Sequence, residues 1–172
     1  MEDQQKEKAS RGHSFVEYVL QRMKDDTGYG AALRRADNPA TDYQAWEHLA
    51  RWCDLDKAWE RLPFETIAAA LARAKPQQDG QQPIGRALAA CYEDGNKSDN
   101  AKSKLRRLLA CDSIEEVCRV LRPLLGLMAS KGQAHLAYGA LLDDLLRFGE
   151  RTKQRWAMDF FGRREADDRL GV

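Results

Sequence analysis

Apolar residues recur every three or four positions along most of this chain, the period that lays one stripe along one face of an α-helix. The clearest stretch is Ala101 to Met128. Leu105, Leu108 and Leu109 stripe one helix and leave Arg106 and Arg107 off that face. Ile114, Val117, Cys118, Leu121, Leu125 and Met128 stripe the next, with Arg119 and Arg122 on its flank. Ser113 with Glu116 reads as a capping box at the start of this second helix, and Gly132 after Lys131 as its end. Pro123 predicts a kink or short break, because it removes a backbone donor and frees the carbonyl of Arg119.

The same period runs through the rest of the chain. Val16, Val19, Leu20 and Met23 predict a helix opened by a Ser14/Glu17 capping box. Ala31 to Leu33 predict a short one, followed by Arg34 and Arg35 and stopped at Asn38-Pro39. Trp46, Leu49, Ala50 and Cys53 predict a third after a Thr41/Gln44 box, and Phe64, Ile67, Ala68 and Leu71 a fourth that ends near Ala74. Trp52 and Trp59 read as core anchors in preference to a stacking platform. Tyr138, Leu141, Leu142, Leu145 and Phe148 stripe the next helix, with Asp143 and Arg147 as an i, i+4 pair, and Trp156 and Phe160 anchor the last. No segment alternates as a half-buried strand does, so no sheet is expected.

The fold class is therefore all-α, with two small bundle-like helical lobes joined by a loop-rich segment. The expected boundaries are a disordered tail 1–13, an N-terminal lobe 14–74, a Gln/Gly/Asn-rich boundary 75–101 with a short helix from Ile84 to Cys91, a C-terminal lobe 102–162 and a frayed tail 163–172. Within that boundary, Gly85 permits close backbone approach and Arg86 supplies a phosphate-binding fork.

A length of 172 residues suffices for a hydrophobic core without staples. Its 28 Lys and Arg against 27 Asp and Glu leave no global pull toward nucleic acid or membrane, so any such binding must come from local clusters. The clusters are Arg34 with Arg35, Arg86, Lys102, Lys104, Arg106 and Arg107 together, and Arg119 with Arg122, each beside an apolar stripe. Cys53, Cys91, Cys111 and Cys118 form no CxxC pair and read as packed thiols, with no metal site and no cofactor expected. The polar N-terminus and the absence of a long apolar run predict a soluble, cytoplasmic protein with no membrane partner.

Catalytic signatures are missing: there is no P-loop, no GxGxxG, no HExxH and no GxSxG, and His13, His48 and His135 stand in the tail, on a polar helix face and at a helix start. No enzyme is expected. Two readings of the arginines remain open. If the lobes align them they form a groove that follows a phosphate backbone; if not, they are the solvated face of a helical protein-interaction adaptor.

In order along the chain, Leu33-Arg34-Arg35, Ile84-Gly85-Arg86-Ala87-Leu88-Ala89, Leu105-Arg106-Arg107-Leu108-Leu109, Leu121-Arg122-Pro123-Leu124-Leu125 and Tyr138-Gly139-Ala140-Leu141-Leu142-Asp143-Asp144-Leu145 together resemble the CasB family, the small subunit of the type I-E CRISPR surveillance complex, Cascade. The resemblance spans about Ser14 to Phe161, and Pro123 departs from it by standing where a helix-compatible residue is common. It implies an all-helical, two-lobed, non-catalytic protein, present as a pair beside other Cascade subunits. Such a subunit lies along guide RNA and target DNA and helps hold the displaced strand. Arg34, Arg35, Arg86, Arg106, Arg107 and Arg122 are the positions the resemblance marks as nucleic-acid-binding; Lys102, Lys104 and Arg119 extend them.

Overall fold

The structure, a computed structural model, describes residues 9–132 and 135–162. It is all-α. Its helices are α1 (Arg11–Asp25), α2 (Thr27–Leu33), α3 (Trp46–Leu49), α4 (Ala58–Ala74), α5 (Ile84–Ala90), α6 (Asp99–Leu109), α7 (Ile114–Lys131), α8 (Tyr138–Leu146) and α9 (Glu150–Phe161). Single 3-10 turns precede α3 and α6. Among the described residues no strand forms, and the one ladder-like contact is an isolated bridge between Gln82 and Leu136.

α4 and α7 form the central pair. Both carry a proline inside the helix, Pro63 and Pro123, and both helices run unbroken through it. α4 is buried on most sides from Pro63 to Ala72, where its run of alanines lets neighbours approach closely. α1 packs against α8, α5 against α9, and α8 also against α4. Buried residues from both sides of 75–101, such as Phe15, Phe64, Leu121 and Leu142, belong to one core cluster, so the two-lobe division is not confirmed by the packing.

Close crossings are made by glycines. A Cβ on Gly12 of α1 would fall 2.2 Å from the Gly139 carbonyl oxygen of α8, and one on Gly85 of α5 would fall 2.4 Å from the Trp156 carbonyl oxygen of α9. The close approach expected at Gly85 thus serves helix packing rather than a ligand.

The boundary segment is pinned. Gly80 N–H donates to the Leu136 carbonyl at 3.1 Å and Gln82 N–H to that of His135 at 2.9 Å. The Asp79 carboxylate accepts from the N–H groups of Tyr138 and Gly139 at 2.7 and 3.1 Å, satisfying the open start of α8. Burial raises the Asp79 pKa, and these backbone donors oppose the rise.

Several local expectations are corrected. α1 is capped by Ser10, which accepts from His13 N–H at 3.1 Å, so Ser14 lies inside the helix and residues 11–13 belong to the fold; residues 1–8 and the expected frayed segment 163–172 lie outside the described residues. Thr41 caps nothing with its side chain and instead donates to the Arg35 carbonyl at 3.0 Å, because a 3-10 turn replaces the expected helical start. Ser113 does cap α7, accepting from Glu116 N–H at 3.2 Å, while the Glu116 carboxylate accepts from Asp112 N–H at 2.9 Å. Asp143 accepts from Gly12 N–H at 2.8 Å instead of pairing with Arg147. Trp59 is 52 % exposed and no core anchor, whereas Trp52 packs edge-on against Phe15.

Candidate nucleic-acid interface

The helical stripe places Leu105 and Leu108 of α6 in the core, so Arg106 and Arg107 are exposed and Lys102 and Lys104 are half-buried. Among the described residues, none of these four side chains has a hydrogen-bond or ion-pair partner. They are solvated charge on one helix.

A second group assembles from three separate parts of the chain. Asp37, just past α2, is buried, with a side chain only 4 % exposed. It accepts from Arg73 of α4 through both guanidinium Nη atoms, one at 2.7 Å, and sits 3.6 Å from Nε of Arg122 on α7. The Asp37 bond holds the Arg73 guanidinium still more firmly in its charged form. Arg73 also donates to the Arg34 carbonyl at 3.0 Å, and Arg34 Nε donates to the Ala72 carbonyl at 3.3 Å. Arg35 Nη1 donates to Gln44 at 2.8 Å. The structure thus brings Arg73 and Arg122 together around a carboxylate; of the expected residues only Arg122 reaches it, while Arg34 meets the group through its backbone carbonyl alone.

Arg119 lies one turn before Arg122, on the exposed side of α7. Burial pushes the Cys111 thiol up, and Arg119 is near enough to oppose that shift, which places it toward the α6–α7 junction. Arg86 stands apart, exposed on α5 where α5 packs against α9. Burial raises the Asp159 pKa and Arg86 is the first charge opposing it. Arg86 is not joined to the Asp37 group by any contact among the described residues.

Asp37 and Arg73 were missed in the sequence because neither belongs to a basic cluster or a motif. A signal existed for Arg73: it is the one charged residue in the apolar run 66–74. Asp37 offered none.

The arrangement presents guanidinium forks, suited to phosphate oxygens. Among the described residues no group of three or more His, Cys, Asp or Glu could hold a metal ion, and no helix is long and apolar enough to cross a membrane. All four cysteines are buried free thiols, and burial pushes Cys118 up to about 12.

The profile of the family described as CRISPR-associated protein Cse2 matches residues 30–161, more than half of the chain. The chain belongs to that family. No curated protein sequence matches it. CasB from Thermus thermophilus shares 26 % identity at a TM-score of 0.69, over 90 % of this chain and 99 % of that one. M. ruber CasB shares 23 % at 0.74, over 95 % and 99 %. A chain of a structure described as a CRISPR RNA-guided surveillance complex shares 23 % at 0.73, over 94 % and 98 %. The family read from the motifs is thus the one the comparisons show. Pro123, where a kink or short break is expected, stands inside α7 without breaking it.

Proposed function

We propose that this chain is a non-catalytic structural subunit of a CRISPR RNA-guided surveillance complex of the Cascade type. It acts in the cytoplasm as one of two copies beside other Cascade subunits, contacts the backbones of guide RNA and target DNA, and stabilises the displaced strand. The observation that carries this reading is the Cse2 family match over 30–161, together with the full-length likeness to a chain of a surveillance complex. In such a complex guide pairing reads sequence, and a subunit like this one contributes sequence-independent phosphate contacts. The unpaired cations of α6 suit that role.

The test is target-DNA affinity of the reconstituted complex at several salt concentrations. Each phosphate contact releases counterions, so alanine at Arg106 and Arg107 together lowers the log-log salt slope by roughly one to two units. The adaptor reading keeps one observation in its favour: Arg34, Arg35 and Arg122 each engage a partner inside the chain. Unchanged affinity and slope after replacing Arg34, Arg35, Arg86, Arg106, Arg107 and Arg122 would make that reading the better one.

A further inference from the structure

We infer that the cleft between α4 and α7, at Asp37, Arg73, Arg122 and Gly126, receives one phosphodiester of the target DNA; this rests on the nucleic-acid reading above. Gly126 lies well inside α7, an 18-residue helix, and is exposed. Glycine in a helix interior weakens the helix relative to alanine. At Gly12, Gly85 and Gly139 the weakening has a cause within the chain, because a Cβ would strike another helix. At Gly126 a Cβ would meet nothing within 4 Å, and its φ is not in the left-handed region. The missing side chain leaves the surface of α7 open at this point, with room for a group outside the chain.

Gly126 is one turn beyond Arg122 on the same face of α7, so the open position adjoins that guanidinium. With Ala70 and Ala129 these residues line a cleft of about 20 Å³, room for one water molecule or one phosphate oxygen. Asp37 anchors both arginines from below, while their side chains stay 45 % and 44 % exposed, leaving N–H groups free to face outward. Two guanidiniums against one carboxylate keep the cleft positive, and the anchoring removes much of the rotamer freedom that free arginines lose on binding an anion. Thr66, Ala70, Leu125 and Ala129 complete the walls, and a space this small admits no protein side chain. Part of the arginine charge is already engaged by Asp37, which suits a contact made and released with target DNA better than a permanent hold on the guide.

The experiment uses the reconstituted complex carrying Gly126→Ala, Gly126→Leu or Arg73→Ala, with assembly, guide-RNA retention and target-DNA affinity measured for each. Gly126→Ala is expected to raise the melting temperature of the free chain yet weaken DNA binding, a pairing that a purely structural glycine would not give. Gly126→Leu is expected to weaken DNA binding more, roughly tenfold, with assembly and guide retention intact. Arg73→Ala is expected to lower the salt slope by about one unit. DNA affinity unchanged by Gly126→Leu overturns the inference, as does a loss of assembly, which would put a partner subunit on this face, or a loss of guide RNA. The Arg106/Arg107 double variant runs alongside. If it flattens the slope while Gly126→Leu does nothing, this inference fails alone; if neither moves, the nucleic-acid reading fails with it.

Discussion

The two basic regions of this molecule are built in opposite ways. On α6 the cations stand on the outer face of an amphipathic helix and have no internal partner among the described residues. Around Asp37 two of them, Arg73 of α4 and Arg122 of α7, are drawn onto one buried carboxylate. The first arrangement follows from helical periodicity alone, because a stripe that buries Leu105 and Leu108 turns Arg106 and Arg107 outward. The second depends on tertiary packing, since its residues lie at positions 37, 73 and 122. Charge that serves only a surface can be read from one helix, whereas charge that is held in place requires the fold.

Both regions stand on one core, and the largest expected effects test that. Leu108→Ala under α6 and Leu121→Ala in α7 each remove a side chain with 0 % exposure, and each is expected to destabilise by about 2 to 5 kcal/mol in chemical denaturation. A cost under about 0.5 kcal/mol at either site would mean that its region is not anchored in the core.

The next test separates the regions. Asp37→Asn strips the charge from a buried acceptor that Arg73 of α4 and Arg122 of α7 share, and is expected to cost on the order of 1 to 3 kcal/mol. The loss is moderated because both arginines regain water from their half-exposed positions. A cost within about 0.5 kcal/mol would show Asp37 to be incidental to the α4–α7 pair.

Glu65 of α4, buried beneath the same helix pair, adds a pH dependence. Burial, and then the charge of Asp42, pushes its pKa up to about 7, against the opposing pull of Arg61, whose Nε lies 2.9 Å away. A carboxylate raised in the folded state binds more protons there than in the unfolded chain between its ordinary pKa and about 7. Stability therefore falls as pH rises through that window. Glu65→Gln is expected to flatten this dependence and to stabilise the protein above pH 7, read from melting temperatures between pH 4.5 and 8. A wild-type curve that rises across the window would reverse the sign and refute the assignment.

The legible part of the molecule is the part made by local rules. The all-α class, the stripes of α6 to α9 and the Ser113 cap follow from residues three or four apart. Two capping boxes were misplaced for a physical reason: Ser14/Glu17 and Thr41/Gln44 satisfy the spacing, but Ser10 captures the start of α1 and a 3-10 turn occupies 42–45. Hydrophobicity alone assigns Trp59 to the core, but the first turn of α4 faces it outward. Of the candidate interface, the α6 cations are visible as a cluster, while Asp37, Arg73 and Gly126 acquire meaning only when α4 and α7 meet. Helical period says which way a residue faces, and nothing about which distant residue it faces.

The smallest expected effect is the most informative about α6. Replacing Arg106 and Arg107 by alanine removes two charges from the last turn of that helix, where the macrodipole favours cations by about 0.3 to 1 kcal/mol at most. The same change relieves the i, i+4 repulsion between Lys102 and Arg106 and the i, i+3 repulsion between Lys104 and Arg107, each on the order of 0.2 to 0.5 kcal/mol. These terms oppose one another and are similar in size, and salt screens both. The free protein is therefore expected to melt within about 0.5 kcal/mol of the parent at any salt concentration. A clear loss of stability would show that the two arginines hold the fold as Asp37 does, and the contrast between the regions would collapse. Near-zero change, set beside a flattened salt slope in the complex, would leave two adjacent cations that the fold does not need, and such charge is available to a polyanion.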